Sequence, residues 1–594
     1  MWLPYYMQFL VYSVAVNVFL FFTIVIYYKD LLLSRFDNKL LPEYDFIIVG
    51  AGTAGSLIAH RIASETNFTF VVLEAGGRSN PFYEVPVFGP LLQGSMYDWM
   101  YETTPQEHAC FAMVDRKCKL AQGKIVGGSS KLNNMIHLKG NTSQYSEWFH
   151  GKYGIEFFEK HLNYIEEEIF YVNELKYESE LADAVLDAAK ALGYEIIGND
   201  FKIGFLKNII TQKNGKRWTT SDKLDVNKHV ITNALVEKVL VNDGQTYGVN
   251  VYISNSRYTV FARKGVILAA GTLNTPKILQ LSGIGPSKLL ESLDIPLIQD
   301  LPVGLNLQDH IGTGLDLILL NKSLSISTEN VLNPFNLFHY IQGEGPWTYP
   351  GSEVSGFIST KNLTSPDIQI MILPVGIASD KGSLLRKRLG ITDEAWNGYF
   401  TKIFDKHAST FCTIILHPKS RGSVYIKSRD AKIPPLINAG YLSEKEDVDT
   451  LISGLKLAIK LLKTDSLKSI KAYLNTNHFP GCGDHKFFSD KYLECYIRSL
   501  TLSSYHPVGT CSMGLPELKN TVVDTSFRVL NVKNLYVADG SVLPTLPGVN
   551  INAAIAMMAN IFFETNIKNL PTKNKVKYCD KYDKINQYLF KICN

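Results

Sequence analysis

The sequence predicts an α/β protein: a Rossmann-like dinucleotide-binding domain, left and re-entered by the chain, with a discontinuous α+β substrate domain. Three observations carry this. A strand, glycine turn, helix and second strand follow one another from Tyr44 to Glu74. A buried strand, glycine turn and helix recur from Gly265 to Pro286. A third strand and helix start run from Asn534 to Ala553. A chain of 594 residues also exceeds what one simple core fills, so two or more domains are expected.

The N-terminal segment stands apart. Phe9 to Tyr28 carries no charge, and only Ser13, Asn17 and Thr23 interrupt its apolar run. About 20 apolar residues span a bilayer as a helix. A cleaved signal sequence has a basic start, a shorter apolar core and a small-residue cleavage site. No Lys or Arg precedes Lys29 and no A-x-A site follows, which slightly favours membrane anchoring over cleavage. Either device sends the chain into the secretory route, to an extracellular or membrane-anchored place. Four N-x-[ST] sequons, at Asn67, Asn141, Asn321 and Asn362, agree with that route and with a glycoprotein.

The first strand is Phe46 to Val49. Gly50, Gly52 and Gly55 follow at G-x-G-x-x-G spacing around Thr53 and Ala54, and Leu57, Ile58, Ile62 and Ala63 then fall at helical spacing. In such a turn the first glycine makes the bend, the second lets backbone approach a pyrophosphate, and the third lets helix pack on strand. The helix start offers free N–H groups to the anion. A second strand, Phe68 to Leu73, ends at Glu74, 19 residues after Gly55 and placed to accept hydrogen bonds from a ribose, with Ala75 next.

A loop-rich segment follows, with Pro81, Pro86, Pro90 and Pro105. Cys110 and Cys118 bracket a short polar loop, and Cys482 and Cys495 lie similarly close; sequence leaves their connectivity open. No Cys/His cluster has zinc-site spacing, so no metal is expected. Ala121 to Gly140 is glycine-rich but carries Ile125, Val126, Leu132, Met135 and Ile136, which argues for a partly buried loop pressed against a flat ligand.

Residues 153–195 read as helices and residues 229–263 as short antiparallel strands by their alternation. Thr275 is placed as N-cap and Pro276 as the first residue of a helix that Ser282-Gly283 ends. Asp300 to His310 reads as a polar turn. Residues 312–500 mix strands (Ile368 to Leu373, Thr410 to Leu416, Ser423 to Ile426) with the helix Asp447 to Leu462. A helix starting near Asn552 is apolar nearly all round, so burial is expected. The tail from Asn566 has seven Lys against two Asp. Elsewhere the basic residues form no stripe and the net charge is +4, so a nucleic-acid partner is not expected.

Taken together these motifs are recognisable. The chain resembles the glucose–methanol–choline (GMC) flavoprotein oxidoreductase family over roughly residues 43–565. The likeness rests on the N-terminal nucleotide motif, Gly123 to Asn133, Gly271 to Gly285, Tyr505-His506-Pro-Val-Gly-Thr-Cys and Ala538-Asp-Gly-Ser-Val-Leu-Pro-Thr. The loop bearing Cys110 and Cys118, and Leu416-His-Pro-Lys-Ser-Arg-Gly, are similar to the insect glucose-dehydrogenase-like branch. The resemblance implies FAD, with its ADP half held by Gly50, Gly52, Thr53, Ala54, Gly55, Glu74 and Ala75 and its adenine against Val236. It implies Gly127, Gly128 and Asn133 near the flavin ring, Asp539 and Gly540 beside the ribityl chain and pyrophosphate, and Asn552 and Ala553 at the helix start by the flavin.

It also implies domain parts. FAD-binding pieces occupy 43–145, 226–311 and 501–565, after an N-terminal 1–42 signal or anchor. Substrate-domain helices occupy 146–225, the main substrate domain 312–500, and the Lys-rich tail 566–594. The implied reaction is oxidation of a small-molecule alcohol, a sugar or similar hydroxylated molecule, with oxygen or a quinone as acceptor. A steroid-alcohol oxidase is a narrower reading, and a family lyase or silent flavoprotein the rival. The base is His506, since imidazole titrates near working pH, and Asn550 matches the second catalytic position. Gln122, His137, Gly548-Val549 and Ala554 depart from common family residues, which puts the substrate class in question more than the cofactor.

Overall fold

Strand β1 (Glu43–Val49) is buried along Phe46 to Val49 on both faces, as expected of a strand covered by helices on each side of a parallel sheet. Helix α1 (Thr53–Glu65) follows, then β2 (Phe70–Leu73). The chain leaves this layer and returns as β3 (Val230–Ile231), β4 (Ala234–Asn242), β5 (Gln245–Ile253) and β6 (Ser256–Leu268). Helix α2 (Asn274–Leu281), β7 (Leu535–Val537) and α3 (Asn552–Asn566) complete the unit.

This computed structural model describes residues 40–571, apart from 90, 91, 200, 332 and 362, together with residue 17. The rest of the apolar stretch 9–28, the sequon at 362 and the tail beyond 571 lie outside the described residues. Among the described residues no helix is long and apolar enough to cross a membrane.

The first sheet runs β4-β5-β6-β1-β2-β3, with β7 also on β6. β1, β2, β3, β6 and β7 pair parallel, while β4, β5 and the start of β6 form an antiparallel meander. The sequence predicts separate strands at Tyr258 to Phe261 and from Gly265. They are one: Gly265 continues β6 because its missing side chain leaves room for the Tyr536 ring, which a Cβ would meet at 2.9 Å. Helix α2 also starts earlier than Thr275, with Leu273 at its N-cap position. Thr275 sits in the first turn, and its hydroxyl donates to Asp539 rather than to its own helix.

Helices α1 and α3 pack together through a buried cation. The Arg61 guanidinium, 2% exposed, donates to Glu65, Asn560 and Glu564 and lies over Tyr164 and Phe563. Replacing both Glu65 and Glu564 leaves this buried charge without a carboxylate, which costs about 3–5 kcal/mol.

The second sheet is antiparallel, in the order 472–474, 318–320, 407–415, 368–373, 354–358, 204–207; strand 311–313 joins 407–415 to 502–503. The stretches near 311 and 502 thus belong to this sheet, where the chain passes between the two layers. Helix Lys445–Leu461 covers strands 368–373 and 407–415. Disulfides join Cys110 to Cys118 and Cys482 to Cys495.

Candidate active site

One cavity of about 770 Å³ runs from the C-terminal ends of β1 and β2 to the second sheet. At its first end Gly50 has φ +100°, and a Cβ there would lie 2.5 Å from the Ala269 carbonyl oxygen, so glycine is required. Gly52 faces the cavity: a Cβ would meet nothing nearer than the Gly128 Cα at 4.0 Å. Helix α1 begins there with no side-chain cap and no acid in its first turn. Its leading N–H groups are therefore left for an anionic ligand.

Glu74 is buried beside this turn and accepts the Ala51 and Gly76 N–H groups at 2.8 Å each. Burial pushes its carboxyl up to about 7 against those bonds. A carboxylate offers about four lone-pair sites, so two remain for ribose hydroxyls. Ala75, Leu235 and Val236 line the same end. An open glycine cradle, an uncapped helix start and an acid at the next strand end fit the ADP half of FAD.

Thr53, Ala54, Gly128, Asn133, Asp539, Gly540 and Asn552 line the middle of the cavity, and Gln122 lies among them. Three of the sequence-selected residues sit behind the wall. Gly55 lies under Gly50, whose oxygen a Cβ would meet at 2.0 Å. Gly127 donates its N–H to the Ala51 carbonyl at 2.7 Å, and a Cβ there would meet Lys131 at 2.7 Å. Ala553 is packed inside α3. The carboxylate of Asp539 is fully engaged, accepting from Gly271 N, Thr275 Oγ1, Ser541 N and Ser541 Oγ. It joins two loops and presents their backbone to the ligand. Asn133 Oδ1 accepts from Met135 N and from Arg217, a buried guanidinium whose pKa burial lowers to about 9. His137 is away from this wall: it is buried and bonded to Glu166 at 3.0 Å.

At the far end stand His506 and Asn550, both cavity-lining. Asn550 Nδ2 lies 3.3 Å from His506 Nε2. His506 Nδ1 lies 2.9 Å from Nδ1 of His310. The His506 backbone N–H donates to Asp309 Oδ1 at 2.8 Å, while Tyr441 and Ser503 donate their hydroxyls to Oδ2. Burial lowers the His506 pKa from 6.5 to about 4, so the ring is neutral at neutral pH. Gln369 donates to Asn550 Oδ1 at 3.4 Å.

Asp309, His310, Arg217 and Gln369 were not singled out from sequence as site residues. Asp309 and His310 close the polar turn Asp300 to His310. Their inward role depends on partners 132 to 197 positions away. The available signal was an Asp-His pair entering an apolar strand, which is seldom left unpaired when buried.

Family comparison agrees with this geometry. The two GMC oxidoreductase family models match residues 44–312 and 418–559. A curated relative, glucose dehydrogenase [FAD, quinone] of Drosophila pseudoobscura pseudoobscura, is 30% identical over 559 residues, covering 89% of this chain and 87% of its own. Ecdysone oxidase of Spodoptera littoralis is 28% identical, covering 87% of this chain and 90% of its own. The crystal structure of pyridoxine 4-oxidase from Mesorbium loti matches with a TM-score of 0.73 at 25% identity, over 88% of this chain and 99% of that one. The chain belongs to the GMC oxidoreductase family.

Proposed function

We propose that the chain oxidises the CH–OH group of an alcohol with a largely apolar skeleton, with His506 as the base and Asn550 orienting the hydroxyl. FAD, when bound, supplies the hydride acceptor. His506 Nε2 takes the hydroxyl proton. The contact from Asn550 Nδ2 to that nitrogen is long, 3.3 Å, and therefore weak, so an incoming hydroxyl can take its place. The hydroxyl then donates to His506 and accepts from Asn550. Asp309 fixes the backbone at His506, and its Ser503 and Tyr441 partners hold that carboxylate in turn. Oxygen or a quinone is the second substrate. The two disulfides support passage through an oxidising compartment, in keeping with a secreted or anchored protein.

The apolar lining of the substrate wall carries the substrate class. Leu315, Met371, Leu373, Val375, Ile377 and Ile414 supply most of that wall. Three hydroxyls beside them already donate within the protein, Ser379 to Gly376 O, Ser383 to Asp380 O and Thr410 to Asp316, while the buried Tyr349 hydroxyl on the same cavity has no partner among the described residues. Asp380 accepts three backbone N–H groups, from Gly382, Leu384 and Leu385. A sugar needs free donors and acceptors along its length; a steroid alcohol needs one pair at the reacting carbon and apolar surface elsewhere. Of the two named relatives, this wall favours a substrate of the ecdysone kind over one of the glucose kind.

In anaerobic mixing of the flavin-loaded protein, steroid and other apolar secondary alcohols are expected to bleach the flavin faster than glucose at equal concentration. Faster bleaching by glucose would overturn the apolar-substrate reading. Because His506 is neutral down to about pH 4, the bleaching rate should hold steady through neutral pH and fall only as pH approaches that value. An inflection near 6.5 instead, read by stopped flow, contradicts the burial effect. The same depressed value lowers stability as pH falls from 6.5 toward 4, since the unfolded chain binds that proton more readily.

A further inference from the structure

We infer that two backbone carbonyls, Leu416 O and Ile372 O, fix the hydrogen-bond polarity of the active site, and that Leu416 O does so through His310, a positioning residue that keeps the Nε2 of His506 bare toward the cavity. The inference rests on the proposed role of His506 as base and names what makes that nitrogen the basic one.

The first derivation starts at Leu416. Its carbonyl lies 3.1 Å from His310 Nε2 and can only accept, so His310 Nε2 carries a proton. His310 is fully buried beside His506 and His417, and burial together with those two rings holds its pKa well below 6.5. A neutral ring protonated at Nε2 has a bare Nδ1. The 2.9 Å contact between the two Nδ1 atoms then requires the proton on His506. His506, also neutral, is left with a lone pair at Nε2. That lone pair can only face the amide NH₂ of Asn550.

The second derivation starts from the opposite side. Ser352 donates to Ile372 O at 3.0 Å, so its oxygen accepts from Asn208 Nδ2 at 2.9 Å. Asn208 Oδ1 therefore accepts from Ser355 at 2.7 Å, and Ser355 accepts from Gln369 Nε2 at 3.2 Å. The remaining hydrogen of Gln369 Nε2 points to Asn550 Oδ1. This again turns the Asn550 NH₂ toward His506 Nε2. Two carbonyls, one on strand 368–373 and one just past the end of strand 407–415, thus require the same state, and flipping either amide or ring would set donor against donor or lone pair against lone pair. His310 does not line the cavity, so its effect on the reaction passes through His506 alone.

The chain is not a proton exit. A proton taken at His506 Nε2 can be shared across the two Nδ1 atoms, but Leu416 O cannot accept it. It stays on the imidazole pair until returned at Nε2.

Nitrogen-15 NMR of histidine-labelled, flavin-loaded protein at neutral pH reads the tautomer directly, with the His506 signals identified by their loss in His506→Ala. The expected result is the Nδ1–H form of His506 in the wild type. In His310→Asn an amide oxygen can accept where Nδ1 did, so that form and most of the bleaching rate should persist. In His310→Leu no acceptor remains, and His506 should become a tautomer mixture. Bleaching should then slow at least about tenfold at unchanged substrate affinity, toward the ~10⁴ loss seen where a catalytic imidazole holds the wrong tautomer. An Nε2–H His506 in the wild type overturns the inference, whether or not the variants fold. So does an equal loss in the Asn and Leu variants, which would mark His310 as packing only. If no alcohol bleaches the wild type, the proposed function fails while the tautomer measurement still decides this point.

Discussion

His506→Ala should keep its flavin and lose flavin bleaching by about 10²- to 10⁴-fold, the usual worth of a positioned general base. Flavin retention is expected because the groups proposed for the ADP half lie at the opposite end of the cavity, around Gly52 and Glu74. The fold should hold as well, since Asp309 is bonded to the His506 backbone N–H and to two hydroxyls that the substitution leaves in place. The measurement is a pair: the visible spectrum for cofactor content, and anaerobic stopped flow for the rate. Full flavin content with an unchanged rate would remove His506 as the base. Asn550→Ala should be milder, because it takes away an orienting donor and not the proton acceptor.

The second large effect concerns the glycine turn, where neighbouring substitutions should fail differently. At Gly52 the backbone is at φ −75°, which any residue adopts, and a Cβ points into open cavity. Gly52→Val should therefore fold with a melting temperature close to wild-type apoprotein, yet emerge free of flavin, because its side chain fills the cradle. At Gly55 a Cβ would overlap the Gly50 carbonyl oxygen at 2.0 Å. Relief requires α1 to move off β1, so Gly55→Val should cost about 3 kcal/mol or more. Its loss of flavin should come with a lowered melting temperature. If Gly52→Val retains full flavin, the cradle is not the cofactor site. If both variants melt alike, the distinction between a ligand-facing and a packing glycine fails.

Much of this was legible in the sequence because it is written locally. The turn from Gly50 to Gly55 combines strand, glycine spacing and helix start within a dozen or so residues, and Glu74 follows at a fixed interval. The helix at Asn552 announces its burial by being apolar on every side. What was not legible depends on distant partners. Thr275 looked like a cap because a Thr-Pro step opens many helices, but the Asp539 carboxylate competes for its hydroxyl from 264 positions away. Asp539 itself reads as a ligand contact until its four donors are counted. Arg217 and His310 have no motif of their own, and each is recognisable only once burial makes an unpaired cation or ring nitrogen untenable. Substrate class was hardest to read, because the apolar wall is assembled from residues far apart in the chain, Leu315, Met371, Val375 and Ile414 among them.

The central claim is that one cavity holds FAD at its glycine end and an apolar alcohol at its His506–Asn550 end. Its most direct test is anaerobic titration of the purified, flavin-loaded protein with a steroid alcohol, followed in the flavin absorbance band. The account predicts complete bleaching in the wild type and none on the same timescale in His506→Ala. A flavin that stays oxidised in the wild type against every alcohol offered would contradict it.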